Sequence, residues 1–125
     1  MERAITILRE GYDAFNRGDF DAATAFLHPE VEWERAGDVG PSLRGRDAVR
    51  EWMEPEAFTR QQNEIREITV HGDKVLVYAD FHGVGAGSGI ELTQSGYQLW
   101  TIGDGLAVKV QIFFDRDEAL AAARE

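Results

Sequence analysis

The chain has 125 residues, a formal net charge of −10, 43% hydrophobic and 29% charged residues, which is globular composition with length for one core. The acidity, with no basic patch, excludes nucleic acid as a natural partner, and the lack of cysteine excludes disulfides, thiolate nucleophiles and thiolate-held metals. No apolar run approaches the roughly 20 residues of a membrane span, and Met1-Glu2-Arg3-Ala4 lacks the apolar stretch of a leader, so no membrane partner and a cytoplasmic location are expected.

Ile5, Leu8, Tyr12 and Phe15 recur at helical spacing and predict a first helix, stopped by Gly18. Asp19 then caps a second helix with Phe20, Ala23, Phe26 and Leu27 on its apolar side, ended before Pro29. From Val31 the pattern alternates: Val31, Trp33 and Arg35 share one side, Glu32 and Glu34 the other, until Gly37, Gly40 and Pro41. After Gly45, the run Asp47 to Glu54 places Val49, Trp52 and Met53 at helical spacing, with Pro55 as its stop.

Four strands follow over Ile65 to His71, Val75 to Val84, Ile90 to Ile102 and Ala107 to Phe114, separated by Gly72-Asp73, the glycines from Gly83 to Gly89, and Gly103-Asp104-Gly105. Tight turns make their pairing antiparallel. Asp115 and Glu118 open a short C-terminal helix as a capping box. The late strands are apolar on both sides, Tyr97, Leu99, Val110, Ile112 and Phe114 alternating with Trp100, Ile102 and Phe113. With helices enough for one side only, a homodimer through the outer sheet face at Trp100, Ile102 and Phe113 is expected.

The ordered stretches Tyr12-Asp13-Ala14-Phe15-Asn16-Arg17-Gly18-Asp19, His28-Pro29-Glu30-Val31-Glu32-Trp33, Gly45-Arg46-Asp47-Ala48-Val49 and Phe113-Phe114-Asp115 resemble the SnoaL-like, polyketide-cyclase-like branch of the nuclear transport factor 2-like superfamily. The likeness spans nearly the whole chain. It implies one domain over residues 1–125 with an α+β fold: a cone-shaped, curved antiparallel or mixed β-sheet wrapped around N-terminal helices, plus the short C-terminal helix. It also implies a conical pocket. Activity does not follow, because such folds serve isomerases, dehydratases, hydrolases, cyclases and binding proteins alike.

Aligned on this resemblance, the positions of the ketosteroid isomerase base, tyrosine and protonated aspartate fall on Arg35, Gly11 and Tyr97. Arginine stays protonated and cannot be that base. The three catalytic positions of the limonene-epoxide-hydrolase type fall on Phe81, Gly83 and Ile112, which lack its functional groups. A slip by one residue would bring in Asp80 or His82, but it would also turn every side chain of the strand to the other face.

What remains is a pocket lined by Phe15, Trp33, Val77, Phe81, Leu99, Val110, Ile112 and Phe114, with Tyr12, Arg35 and Tyr97 as polar points. This suits a small hydrophobic molecule carrying an acidic or carbonyl oxygen. A buried Arg35 needs such an acid or an internal partner such as Glu56 or Glu64; solvent exposure is its other fate. Tyr97 is either a pocket donor or a packed structural tyrosine.

Three functions stay open: a dimeric binding protein, or an enzyme of unassigned activity, whose pocket accepts a small hydrophobic metabolite; a cyclase, isomerase or dehydratase using Tyr97 and Arg35 as oxyanion stabilisers with a base not located; and a non-catalytic dimeric interaction module. No cofactor is expected. No metal is expected either, because His28, His71 and His82 show no ligand spacing and Asp115 and Asp117 read as caps. Gly83, Gly85, Gly87 and Gly89 join two strands, unlike a phosphate loop.

Overall fold

The computed structural model describes residues 2–35, 42–54 and 58–125, with backbone alone at Arg35 and Phe58. The breaks expected at Gly37, Gly40, Pro41 and Pro55, and Glu56 as a partner for Arg35, lie outside the described residues.

Helix α1 spans Glu2–Asn16 and buries Leu8, Gly11, Tyr12 and Ala14. It ends where the sequence places the stop. Gly18 adopts φ 79°, its N–H bonding to the Phe15 carbonyl at 3.0 Å while that of Asp19 bonds to Ala14 at 2.9 Å, a Schellman closure. Asp19 then caps α2 (Phe20–Thr24), accepting from the N–H of Ala22.

The second helix is shorter than its apolar spacing suggests. Leu27 opens strand β1 (Leu27–Arg35) instead, because the Phe26 carbonyl accepts the Ala107 N–H at 2.9 Å and Leu27 pairs with Ala107. Tertiary pairing here overrides helix propensity. Pro29, with no N–H to give a ladder, falls within the register shift between Leu27 and Glu32.

A two-residue strand β2 (Leu43–Arg44), not foreseen, pairs antiparallel with β1. Gly45, at φ 95°, opens α3 (Arg46–Met53), which buries Val49. Strands β3 (Phe58–His71), β4 (Lys74–Gly85), β5 (Glu91–Gly103) and β6 (Leu106–Phe113) form the antiparallel run, and α4 (Arg116–Ala123) closes the described chain. Strand β3 begins earlier than the apolar alternation shows, because its first half is polar and lies on the sheet edge, where among the described residues β4 alone pairs with it.

Among the described residues the sheet has six strands in the order β2-β1-β6-β5-β4-β3, with β1 and β6 parallel and every other pair antiparallel. It is an open α+β sheet rather than a closed barrel. On the inner, concave face, Leu8 and Tyr12 of α1 and Val49 of α3 pack with Val31, Trp33, Val75, Val77, Trp100 and Val110.

On the outer face, Ala119 and Ala123 of α4 pack with Leu76 and Leu99, flanked by Tyr97 and Phe113. The expected facing of β5 is therefore reversed: Trp100 and Ile102 belong to the inner core, Tyr97 and Leu99 to the outer one. Of the residues expected at an outer dimer face, Trp100 and Ile102 lie on the inner side and Phe113 on the outer one. Trp100 is 3% exposed within the inner core, and Phe113 packs in the α4 cluster. The C-terminal helix α4 covers the part of the outer face around Leu76 and Leu99.

Candidate functional site

Between α1, α3 and the inner face of the sheet lies a cavity of about 790 Å³. Its floor and its rim differ in exposure. Tyr12, Trp33 and Trp100 are 6%, 5% and 3% exposed, whereas Trp52, Leu92 and Phe114 at the rim are 44%, 45% and 47% exposed.

The floor is a chain of rings. Phe26 meets Trp100 at 5.4 Å between centroids, Trp100 meets Trp33 edge-on at 6.1 Å, and Trp33 meets Trp52 at 5.4 Å. Such tilted and edge-on contacts suit the ring quadrupoles and hold the wall rigid. Phe15 and Phe81 add apolar surface from α1 and β4.

Polar groups are few and spaced apart. The Trp100 Nε1–H donates to the Tyr12 hydroxyl at 3.2 Å in a buried contact. Burial pushes the Tyr12 phenol well above its ordinary value, with the Trp100 bond opposing in part, so the hydroxyl stays a neutral donor. Its oxygen is engaged by Trp100, and among the described residues its own hydrogen meets no acceptor. Trp33 Nε1, also buried, has no hydrogen-bond partner among the described residues.

Strand β5 sets Gln94 and Gln98 along the wall, opposite Phe81 and Val77 of β4. Neither carboxamide is hydrogen-bonded among the described residues. Between them the Phe114 ring lies over Gly96, 3.7 Å from where a Cβ would stand. Across the cavity, Gln61 donates to the Met53 carbonyl at 2.7 Å and fastens the end of α3 to β3. Asn16 clamps the backbone of Asn63 from both sides, at 2.9 and 2.7 Å, and fastens α1 to the same strand.

Of the carboxylates on the wall, Glu54 is held by Arg50 at 2.7 Å, and Arg50 also reaches Asp21 of α2. Glu51 lies exposed beside it.

A second polar group lies on the outer face. Ligand atoms of Glu64, Asp80 and His82 fall within 4.8 Å of one another. Arg66 already spans them, its Nε 2.7 Å from Asp80 and its Nη2 3.5 Å from Glu64. Ser95 donates to Asp80 at 2.6 Å, and His82 bridges Glu64 and Thr93. The Ser95 bond, followed by Arg66, holds the Asp80 carboxyl below the usual range. This is an ion-paired surface network with its cation built in.

The SnoaL-like domain family matches residues 8–110 of the chain. The chain belongs to the SnoaL-like family. No curated protein sequence matches it. Among solved structures, this SnoaL-like chain is similar to a nuclear-transport-factor-2-like protein of unknown function from Burkholderia pseudomallei, at 23% identity, TM-score 0.79 and full coverage of both chains. It is similar to TerC co-crystallised with polyporic acid, at 22% identity and TM-score 0.78 over 98% of this chain and 99% of that one. It is also similar to a putative polyketide cyclase from Xanthomonas campestris pv. campestris, at 27% identity and TM-score 0.75 over 98% and 97% of the two chains.

Within this SnoaL-like fold, Tyr12, Phe15, Trp33, Phe81, Ile112 and Phe114 line the cavity together. Val77 and Val110, both fully buried, lie in the inner core outside the cavity lining. Tyr97 and Leu99 lie on the outer face, Tyr97 stacked on Tyr78 at 4.8 Å. The backbone of Arg35 pairs with Ile112, and its side chain lies outside the description.

Sequence reasoning missed Trp100, Gln94, Gln98, Phe26, Gln61 and Asn63. One signal for the β5 residues was available. Once Val77 and Phe81 face inward, whichever β5 residues sit opposite them must face inward too.

Proposed function

We propose that this SnoaL-like chain binds a flat, mainly hydrophobic small molecule in the concave cavity, with the Tyr12 hydroxyl donating to a carbonyl oxygen of the ligand. The observation that carries this reading is the Tyr12–Trp100 pair: a buried hydroxyl whose oxygen is already engaged, set in an aromatic wall, with its hydrogen unspent. The cavity volume of about 790 Å³ lies within the usual range for small-molecule sites. The unpaired carboxamides of Gln94 and Gln98 offer further donors and acceptors toward substituents of the ligand. TerC, whose fold this chain shares, was crystallised with polyporic acid, which supports a small organic ligand here.

The alternative of an enzyme with Tyr97 as oxyanion donor loses its support, because Tyr97 faces away from the cavity. An interaction module with a cone filled by its own aromatics loses support from the open volume.

The test is a pair of probes, 2-acetylnaphthalene and 2-ethylnaphthalene, titrated calorimetrically into the chain and its Tyr12→Phe variant. The variant should bind the ketone about fivefold more weakly, the worth of one neutral hydrogen bond of about 1 kcal/mol, and bind the hydrocarbon unchanged. Equal weakening of both, or no binding of either, would contradict the proposal.

A further inference from the structure

Gly11 stands in the interior of α1, where glycine costs a helix about 1 kcal/mol relative to alanine. Its backbone does not call for glycine, since it is not among the residues of positive φ. What it supplies is space. A Cβ at this position would come within 2.5 Å of Phe26 Cε1, 3.1 Å of Cδ1 and 3.2 Å of Cζ. The Phe26 ring thus lies in a notch that the missing side chain leaves open, and it also meets Trp100 of the cavity floor, 5.4 Å between centroids.

The backbone cannot carry the ring away, because the Phe26 carbonyl is tied to the Ala107 N–H at the start of the β1–β6 pairing. A side chain at position 11 therefore acts on the ring alone. Phe26 is half-buried: outward rotation would expose more of its ring to water, whereas inward rotation presses it toward Trp100, at the cost of cavity depth.

We infer that Gly11 is a specificity-determining residue: by holding the Phe26 ring back against α1, it gives the cavity depth for a fused-ring aromatic ketone rather than a single-ring one. This inference rests on the binding role proposed above. A methyl group is the smallest change that tests it, and one added methylene-sized group in a fitted pocket shifts discrimination about 10- to 200-fold.

The experiment uses acetophenone and 2-acetylanthracene, one ring against three, titrated into the wild-type chain, Gly11→Ala and the double variant Gly11→Ala/Phe26→Leu, with circular dichroism confirming that each is folded. Gly11→Ala should lose about tenfold or more in affinity for 2-acetylanthracene while acetophenone changes little, and the double variant should recover the larger probe. A purely structural role for Gly11 would weaken both probes alike. That result, or a Gly11→Ala variant that binds 2-acetylanthracene as the wild type does, or a double variant without recovery, overturns the inference and leaves the binding role standing. Failure of the wild-type chain to bind either probe overturns both.

Discussion

The two faces of the sheet are made of similar residues put to different use. On the outer face, Leu76 and Leu99 close against Ala119 and Ala123 of α4, and farther along the strands Arg66, Asp80, Ser95, Glu64 and His82 satisfy one another. On the inner face, comparable apolar packing holds the floor, yet beyond Tyr12 and Trp100 the wall opens into a cavity with unpaired amides and a half-spent hydroxyl. The charged groups of the outer network are paired with one another, whereas the buried Tyr12 hydroxyl of the inner face keeps a donor without a protein acceptor among the described residues. Both faces carry buried apolar packing; under the proposed binding role, the inner face adds the recognition surface.

Three substitutions break or sharpen this contrast. The largest effect belongs to Leu99→Ala on the outer face, where the side chain is fully buried. It should cost about 2 to 5 kcal/mol in urea unfolding, while the folded variant keeps its affinity for 2-acetylnaphthalene. A loss of affinity without a loss of stability would reverse the assignment of the two faces.

Tyr12→Phe on the inner face comes next. It strands the Trp100 Nε1–H without an acceptor in a buried setting and should cost about 1 to 3 kcal/mol of stability. Trp100→Phe should cost less in the Tyr12→Phe background than in the wild type, a coupling that a double-mutant cycle in urea reads directly.

The smallest effect is a matter of pH. Asp80 has its carboxyl held below the usual value by Ser95 and Arg66, so the folded state binds that proton less readily than the unfolded chain. The stability this gives is present above the unfolded carboxylate value of about 3.9 and is lost as pH falls through the lower folded value. Asp80→Asn should flatten the pH dependence of the unfolding midpoint in that acid window and leave probe binding at neutral pH unchanged. An unaltered acid slope would show that the network does not hold Asp80 as described.

Much of this organisation is legible in the residues. The helical stripes of α1 and α3, the glycine stop at Gly18, the Asp19 cap and the four late strands follow from local rules of spacing and turn chemistry, and the ordered motifs point to the family. The facing of β5 does not follow. Tyr97 and Leu99 on one side and Trp100 and Ile102 on the other carry equal apolar weight, so alternation cannot say which pair looks inward. The decision lies in the register across the Gly85 to Ile90 turn, where the Gly85 N–H bonds to the Ile90 carbonyl and several glycines offer competing turn positions.

Leu27 is a similar case. Its helical spacing is genuine, but the ladder with Ala107 claims it. The polar first half of β3 was hidden for the opposite reason, since Gln61 and Asn63 face a cavity and not a packed core.

The most direct test of the binding role is a crystal structure of the chain grown with 2-acetylnaphthalene. The account predicts the ring system within the cavity, between Trp33 and Phe81, with its carbonyl oxygen about 2.7 Å from the Tyr12 hydroxyl oxygen. A probe seated with its oxygen turned toward the rim, or a cavity closed by its own side chains and the probe bound elsewhere, would contradict it.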